Sequence, residues 1–188
     1  MNWREHRNGM LIIGCGYVGE RLAHQYQDQG RAVVGLVRSD AGLERLARRG
    51  VPGLRRDLER DDLGDLPLDG AQVFHLAPPP NQGVQDTCTR RLLAAMTRAG
   101  RPRRLVYVST TGVYGDCGGA WVDESWPVQP GADRARRRWD AEQALRRWSS
   151  ETGGELVILR VAGIYGPDRL PLERIRHGLP LVRAEETP

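Results

Sequence analysis

Short apolar runs alternate along this chain with stretches in which apolar positions recur every three or four residues. The runs at 10–13, 31–37, 71–77, 103–109 and 155–160 are aliphatic and too short for helices, and they predict strands. A weaker strand is predicted at 51–56. Between them, 17–29, 41–49, 82–99 and 133–151 predict helices. In the first helix Val18, Leu22 and Tyr26 supply the apolar face and Gly30 the stop; Gly50, Gly100 and the pair Gly153-Gly154 end the others. The fourth strand runs into Pro78-Pro79-Pro80, which cannot continue a ladder. Strands separated by helices of this length make βαβ units, hence an α/β fold with a parallel sheet covered on both faces. Such sheets bind ligands at the carboxyl ends of their strands, near the point where strand order reverses. The residues just after each strand are therefore the informative ones.

After the first strand comes Gly14-Cys15-Gly16-Tyr17-Val18-Gly19, a G-x-G-x-x-G turn that opens a helix. In this setting Gly14 permits the tight turn, Gly16 lets the backbone approach a pyrophosphate, and Gly19 lets the helix pack on the strand. The helix N-terminus offers free N–H groups and the positive end of its dipole to phosphates. This is the fingerprint of a Rossmann-type doubly wound domain with a nicotinamide dinucleotide at 14–19, Tyr17 and Val18 included. The second strand ends in Arg38-Ser39, with no acid until Asp40. An acid there would take a ribose 2′-hydroxyl, whereas Arg38 and Ser39 suit a 2′-phosphate, so NADP is expected ahead of NAD. Asp57-Leu58 follows the third strand, where an aspartate can accept from an adenine amino group. Ala77-Pro78 closes the fourth, where small residues let the backbone pass close to the cofactor ribose. His75 lies within an apolar strand and reads as a packed histidine.

Composition narrows the picture. The net charge is +4 and the pI about 9.3, yet the sequence contains no lysine, and its arginines are mixed with 24 acids. This describes a solvated surface rather than a nucleic-acid face. Three scattered cysteines, Cys15, Cys88 and Cys117, exclude a disulfide framework and provide no zinc pattern, so no metal is expected; Cys15 reads as a small filler. No apolar run approaches the about 18 residues of a membrane span. Positions 1–10 lack the apolar core of a signal peptide. A soluble, cytoplasmic protein without a membrane partner is expected. The 188 residues suit a single domain.

The segments LIIGCGYVGERLA (11–23), RDL (56–58), VFHLAPPP (73–80), RLVYVSTTGVYGD (104–116), WVDESWPVQP (121–130) and ILRVAGIYGPDR (158–169) together resemble an extended, atypical short-chain dehydrogenase/reductase of the NAD-dependent epimerase/dehydratase family, in its nucleoside-diphosphate-sugar epimerase-like branch. The resemblance implies a sugar nucleotide or related hydroxyl/carbonyl substrate. It implies a Ser or Thr after the fifth strand, here Thr110, and a Tyr-x-x-x-Lys on the following helix. Tyrosine and lysine at i and i+4 share one helix face, and the ammonium lowers the tyrosine pKa so that it exchanges the substrate's hydroxyl proton. That pair is absent. Counting back from Glu142 puts Arg138 at the lysine position and Arg134 at the tyrosine position, and a guanidinium does not act as a base.

Arg138 can still hold a cofactor ribose. Tyr114, or an acid on the long 112–131 loop such as Asp116, Asp123 or Glu124, is the remaining source of proton transfer. The alternative is a non-catalytic dinucleotide-binding module, a redox sensor or partner subunit. Relatives of this kind continue past the sixth strand into a substrate lobe, of which 167–188 reads as a truncated remnant. An incompletely covered sheet then leaves an apolar patch that favours self-association.

Overall fold

The computed structural model describes residues 9–167, 169, 170, 172 and 176–178. Six strands, β1 (Met10–Ile13), β2 (Val33–Val37), β3 (Gly53–Arg55), β4 (Gln72–His75), β5 (Arg104–Thr110) and β6 (Glu155–Val161), form one parallel sheet in the order β3-β2-β1-β4-β5-β6. The order reverses between β1 and β4, which makes the crevice above their carboxyl ends the expected ligand edge. The helices are α1 (Tyr17–Asp28), α2 (Asp40–Arg48), α3 (Thr87–Ala99) and α4 (Asp133–Thr152), with a 3₁₀ turn at Thr111–Tyr114.

Alternation along the central strands divides the core into two layers. Leu11, Ile13, Val73, Leu105 and Tyr107 pack with Leu92 and Met96 of α3 and Ala141, Leu145 and Trp148 of α4. Met10, Ile12, Val33 and Val37 pack on the other face with Ala23 of α1 and Leu46 of α2. Both faces of the sheet are thus wound. The cover is uneven at the β6 edge: Leu159 of β6 is exposed, as are Ile164, Tyr165, Leu170 and Leu172 of the segment that follows.

The predicted elements all form, with three differences. The third helix begins at Thr87 rather than 82: Gly83 takes a left-handed φ of 73°, and Asp86 caps the helix by accepting the Thr89 N–H at 3.0 Å. The buried face of α1 is Gly19 and Ala23, flanked by Leu22 and Tyr26, while Val18 points to solvent. Close approach of α1 to the sheet demands small residues on its inner side, and that displaces the larger Val18. The weak third strand shortens to Gly53–Arg55. The tail ascribed to a substrate lobe falls largely outside the described residues, as do positions 1–8.

Candidate functional site

The three turn glycines are constrained in three different ways. Gly14 has φ of 80°, and a Cβ there would stand 2.5 Å from the Ala77 backbone at the end of β4. Gly19 sits tightly against Ile12 and Cys15, at 3.0 and 3.2 Å from the position of an added Cβ. Around Gly16, by contrast, the nearest atom is the Gly14 carbonyl at 4.0 Å. Gly14 is therefore required by the protein itself, Gly19 is closely fitted among side chains, and the middle glycine faces open space. Gly16 is also the N-cap of α1, and no side chain caps that terminus. Its first N–H groups lack a side-chain acceptor, as an anion-binding helix end requires.

Cys15 packs fully buried in the notch above Gly35, and burial pushes its thiol up to about 12, with Glu20 adding to the effect. It is filler. The turn is pinned from outside by Arg45 of α2, which donates to the Cys15 carbonyl at 3.1 Å and pairs with Glu20 at 2.5 Å. Tyr17 crosses to the segment after β6: its hydroxyl fills the space beside Gly166, and its ring lies under Arg21 at 3.6 Å and Arg169 at 5.0 Å.

Gly14, Arg38, Asp57, Leu58, Ala77 and Pro78 line one cleft of about 290 Å³ at the carboxyl edge. Arg38 is exposed at its rim. Ser39 caps α2, its hydroxyl oxygen accepting the Gly42 N–H at 3.2 Å. Asp57 orders its own loop by accepting the Glu59 N–H at 2.9 Å. A larger cavity, about 400 Å³, lies at the opposite edge beside Gly9, Met10 and Ala32, away from the strand ends where such sheets hold ligands.

Beyond β4 the chemistry changes. Thr110 ends β5, and its hydroxyl oxygen accepts the Gly112 N–H at 3.1 Å, which leaves its own proton free to donate. Tyr114 is buried under the Arg160 guanidinium, 4.7 Å from its ring centre. Arg138 is half-buried, and its Nη1 donates to the Val108 carbonyl at 2.9 Å, the Tyr107 hydroxyl at 3.2 Å and the Ala77 carbonyl at 3.3 Å. It therefore braces the tips of β4 and β5. His75 is packed, as its strand predicts: its Nε2 donates to Thr89 Oγ1 at 2.9 Å, and that hydroxyl donates to Asp86 at 2.9 Å. Burial, reinforced by Arg138, pulls the His75 pKa down to about 3.

The sequence reading missed one feature. Arg160 of β6 and Glu142 of α4 form a buried pair at 2.8 Å, and the same carboxylate accepts the Ser109 hydroxyl at 2.5 Å. The available signal was a lone arginine inside the apolar run 156–161.

Fold and edge geometry define a Rossmann-type α/β domain with a glycine turn at its switch point. Residues 10–185 match the NAD dependent epimerase/dehydratase family, and the chain belongs to it. It is 30% identical over 172 residues to Protein YeeZ of Escherichia coli K12, covering 86% of this chain and 61% of that protein. It is 28% identical over 177 residues to a UDP-glucose 4-epimerase of Rhizobium meliloti, covering 87% and 54% respectively. A UDP-glucuronic acid 4-epimerase from Bacillus cereus, solved in complex with NAD, superposes with a TM-score of 0.75 at 24% identity, over 93% of this chain and 64% of that one, a likeness of fold. The chain thus spans about three fifths of the length of such relatives. Among the described residues no helix is long and apolar enough to cross a membrane, and no group of His, Cys, Asp and Glu is placed to hold a metal.

Proposed function

We propose that this protein binds a nicotinamide dinucleotide at the 14–19 turn, NADP in preference to NAD, and acts as an epimerase or dehydratase on a sugar nucleotide or related hydroxyl/carbonyl substrate. The observation that carries this reading is the open space at Gly16 beside the uncapped start of α1. Nothing in the packing of the protein calls for glycine there, whereas a pyrophosphate lying on the turn does. Arg38 at the rim of the cleft suits a 2′-phosphate, and Asp57 suits the adenine amino group. The dinucleotide, when bound, supplies the hydride acceptor. The chain holds it and orients the reacting oxygen through the Thr110 hydroxyl, while Arg138 keeps the β4 and β5 tips in register.

Proton transfer decides between two readings. Tyr114 is buried beneath a guanidinium, and arginines stand where the family pattern has tyrosine and lysine. That observation favours a second reading, a dinucleotide-binding module that performs no hydride transfer. The two separate in one assay. The protein is incubated with NADP and a panel of nucleoside-diphosphate sugars, with nicotinamide absorbance and sugar configuration followed together. Reduction of the cofactor or epimerised sugar marks an enzyme. Cofactor bound and both partners unchanged marks the module.

A further inference from the structure

The first turns of α4 carry more positive charge than the structure neutralises. Asp133 pairs with Arg136 at 3.1 Å, Asp140 with Arg90 of α3 at 2.5 Å, and Glu142 with Arg160 of β6 at 2.8 Å. Every carboxylate in that part of the helix is thus already engaged. Arg134, Arg137 and Arg138 have no carboxylate partner among the described residues. Arg137 is buried and donates to the Gly83 carbonyl. Arg134 is exposed and has no hydrogen-bond or ion-pair partner among the described residues. It lies four residues before Arg138, on the same helix face. Arg138 is held in place through Nη1 alone, so its Nε and Nη2 protons have no acceptor among the described residues.

Thr110 lies beside them at the head of β5, where the 3₁₀ turn approaches the first turn of α4: a Cβ added to Gly112 would lie 3.7 Å from Thr110 Cγ2 and 3.8 Å from Ala135 Cβ. Its hydroxyl oxygen is already an acceptor for the Gly112 N–H, so its remaining role toward a ligand is to donate. None of the nearby acids forms an ion pair with Arg134 or Arg138 among the described residues: Asp86, which feels the Arg138 charge, is hydrogen-bonded to Thr89. Asp116 and Asp123 accept N–H groups of their own loop, from Gly118 and Ser125, and the Ser109 hydroxyl is committed to Glu142. The protein therefore offers donors and fixed positive charge at this edge. Guanidinium forks match planar or tetrahedral oxyanions and stay protonated.

We propose that Arg134 and Arg138 form an oxyanion receptor at the head of β5, beside the Thr110 hydroxyl that orients the reacting oxygen, and that this receptor takes a carboxylate or phosphate carried by the substrate. The proposal rests on reading the β4–β5 edge as the substrate side of the site. It turns the two arginines from a failed acid/base pair into a selectivity element for an anionic substrate.

The test is calorimetric titration of the full chain with UDP-glucuronate and with UDP-glucose, which differ in one carboxylate, using wild type, Arg134→Gln and Arg134→Lys. Arg134 is exposed and has no partner among the described residues, so these variants should melt as the wild type does. Loss of one charged hydrogen-bonding group should weaken binding about tenfold, with partial recovery in Arg134→Lys. A loss confined to UDP-glucuronate identifies the oxyanion as a carboxylate. An equal loss for both identifies it as a phosphate. Unchanged affinity of both nucleotides in Arg134→Gln, or no binding of either to wild type, overturns the proposal. NADPH is titrated separately into the same samples. Sugar-nucleotide binding that depends on Arg134 without NADPH binding would defeat the cofactor reading and leave the receptor standing.

Discussion

The two halves of the carboxyl edge answer to different constraints. Around β1 to β3, each singled-out residue has a place that follows from backbone geometry: Gly14 against Ala77, Gly19 against Ile12, Gly16 open, Arg38 and Asp57 on one cleft. Around β4 to β6, side chains lock to one another instead: Arg138 to three oxygens, Glu142 to Arg160 and Ser109, Tyr114 beneath Arg160. The first half is a turn left open at Gly16, beside an uncapped helix start. The second is a braced, cationic wall in which the carboxylates of α4 are engaged and Arg134 is not. A Rossmann scaffold can thus keep its glycine turn open while the opposite side of its edge is closed by ion pairs and hydrogen bonds.

Substitutions at Gly14 and Gly16 probe the first half most severely. Gly14→Val forces a Cβ into the Ala77 backbone at positive φ and should cost about 4 kcal/mol or more, read by urea unfolding. Gly16→Val should leave that unfolding curve close to wild type, because its surroundings are open. Equal destabilisation by both would erase the distinction between a packing glycine and a ligand glycine. In the second half, Glu142→Gln leaves the largely buried Arg160 without its counter-charge and should cost about 3 kcal/mol. A near-neutral result would mean that the pair is solvated and the wall is not rigid.

The pH dependence of stability comes next in size. His75 is neutral in the folded protein, with its pKa pulled from 6.5 to about 3. A depressed folded pKa means the stabilisation is complete above the unfolded value, near 6.5, and is lost as pH falls toward 3. The slope this one group adds approaches about 1.4 kcal/mol per pH unit within that window. In His75→Gln the difference from wild type should shrink as pH falls from 6.5 toward 4. A pH-independent difference would show that His75 titrates normally. The smallest effect is expected at Arg38→Ala, which should weaken NADPH binding about tenfold and leave NADH unchanged.

Much of this was legible in the sequence because glycine and strand signals are local. The G-x-G-x-x-G turn, the proline stop after β4 and the glycine stops of the helices are set by backbone sterics within a few residues. The start of α3 was misplaced because a left-handed Gly83 and the Asp86 cap outweigh the helical pattern of 82–86. The position of Val18 was misjudged because periodicity reports which face is apolar, not how near the helix must come to the sheet. The Arg160–Glu142 pair joins β6 to α4 across 18 residues, and the Arg138 brace reaches back to β4 across 61; no local pattern announces either.

The central claim is that Gly16 is glycine for a ligand and not for the fold. The most direct measurement is calorimetric titration of wild type and Gly16→Val with NADPH, and with NADH alongside, on samples whose unfolding curves have been compared. The account predicts that wild type binds NADPH more tightly than NADH, and that Gly16→Val, equally folded, binds neither. A folded Gly16→Val that binds NADPH as wild type does, or a folded wild type that binds no dinucleotide, would contradict it.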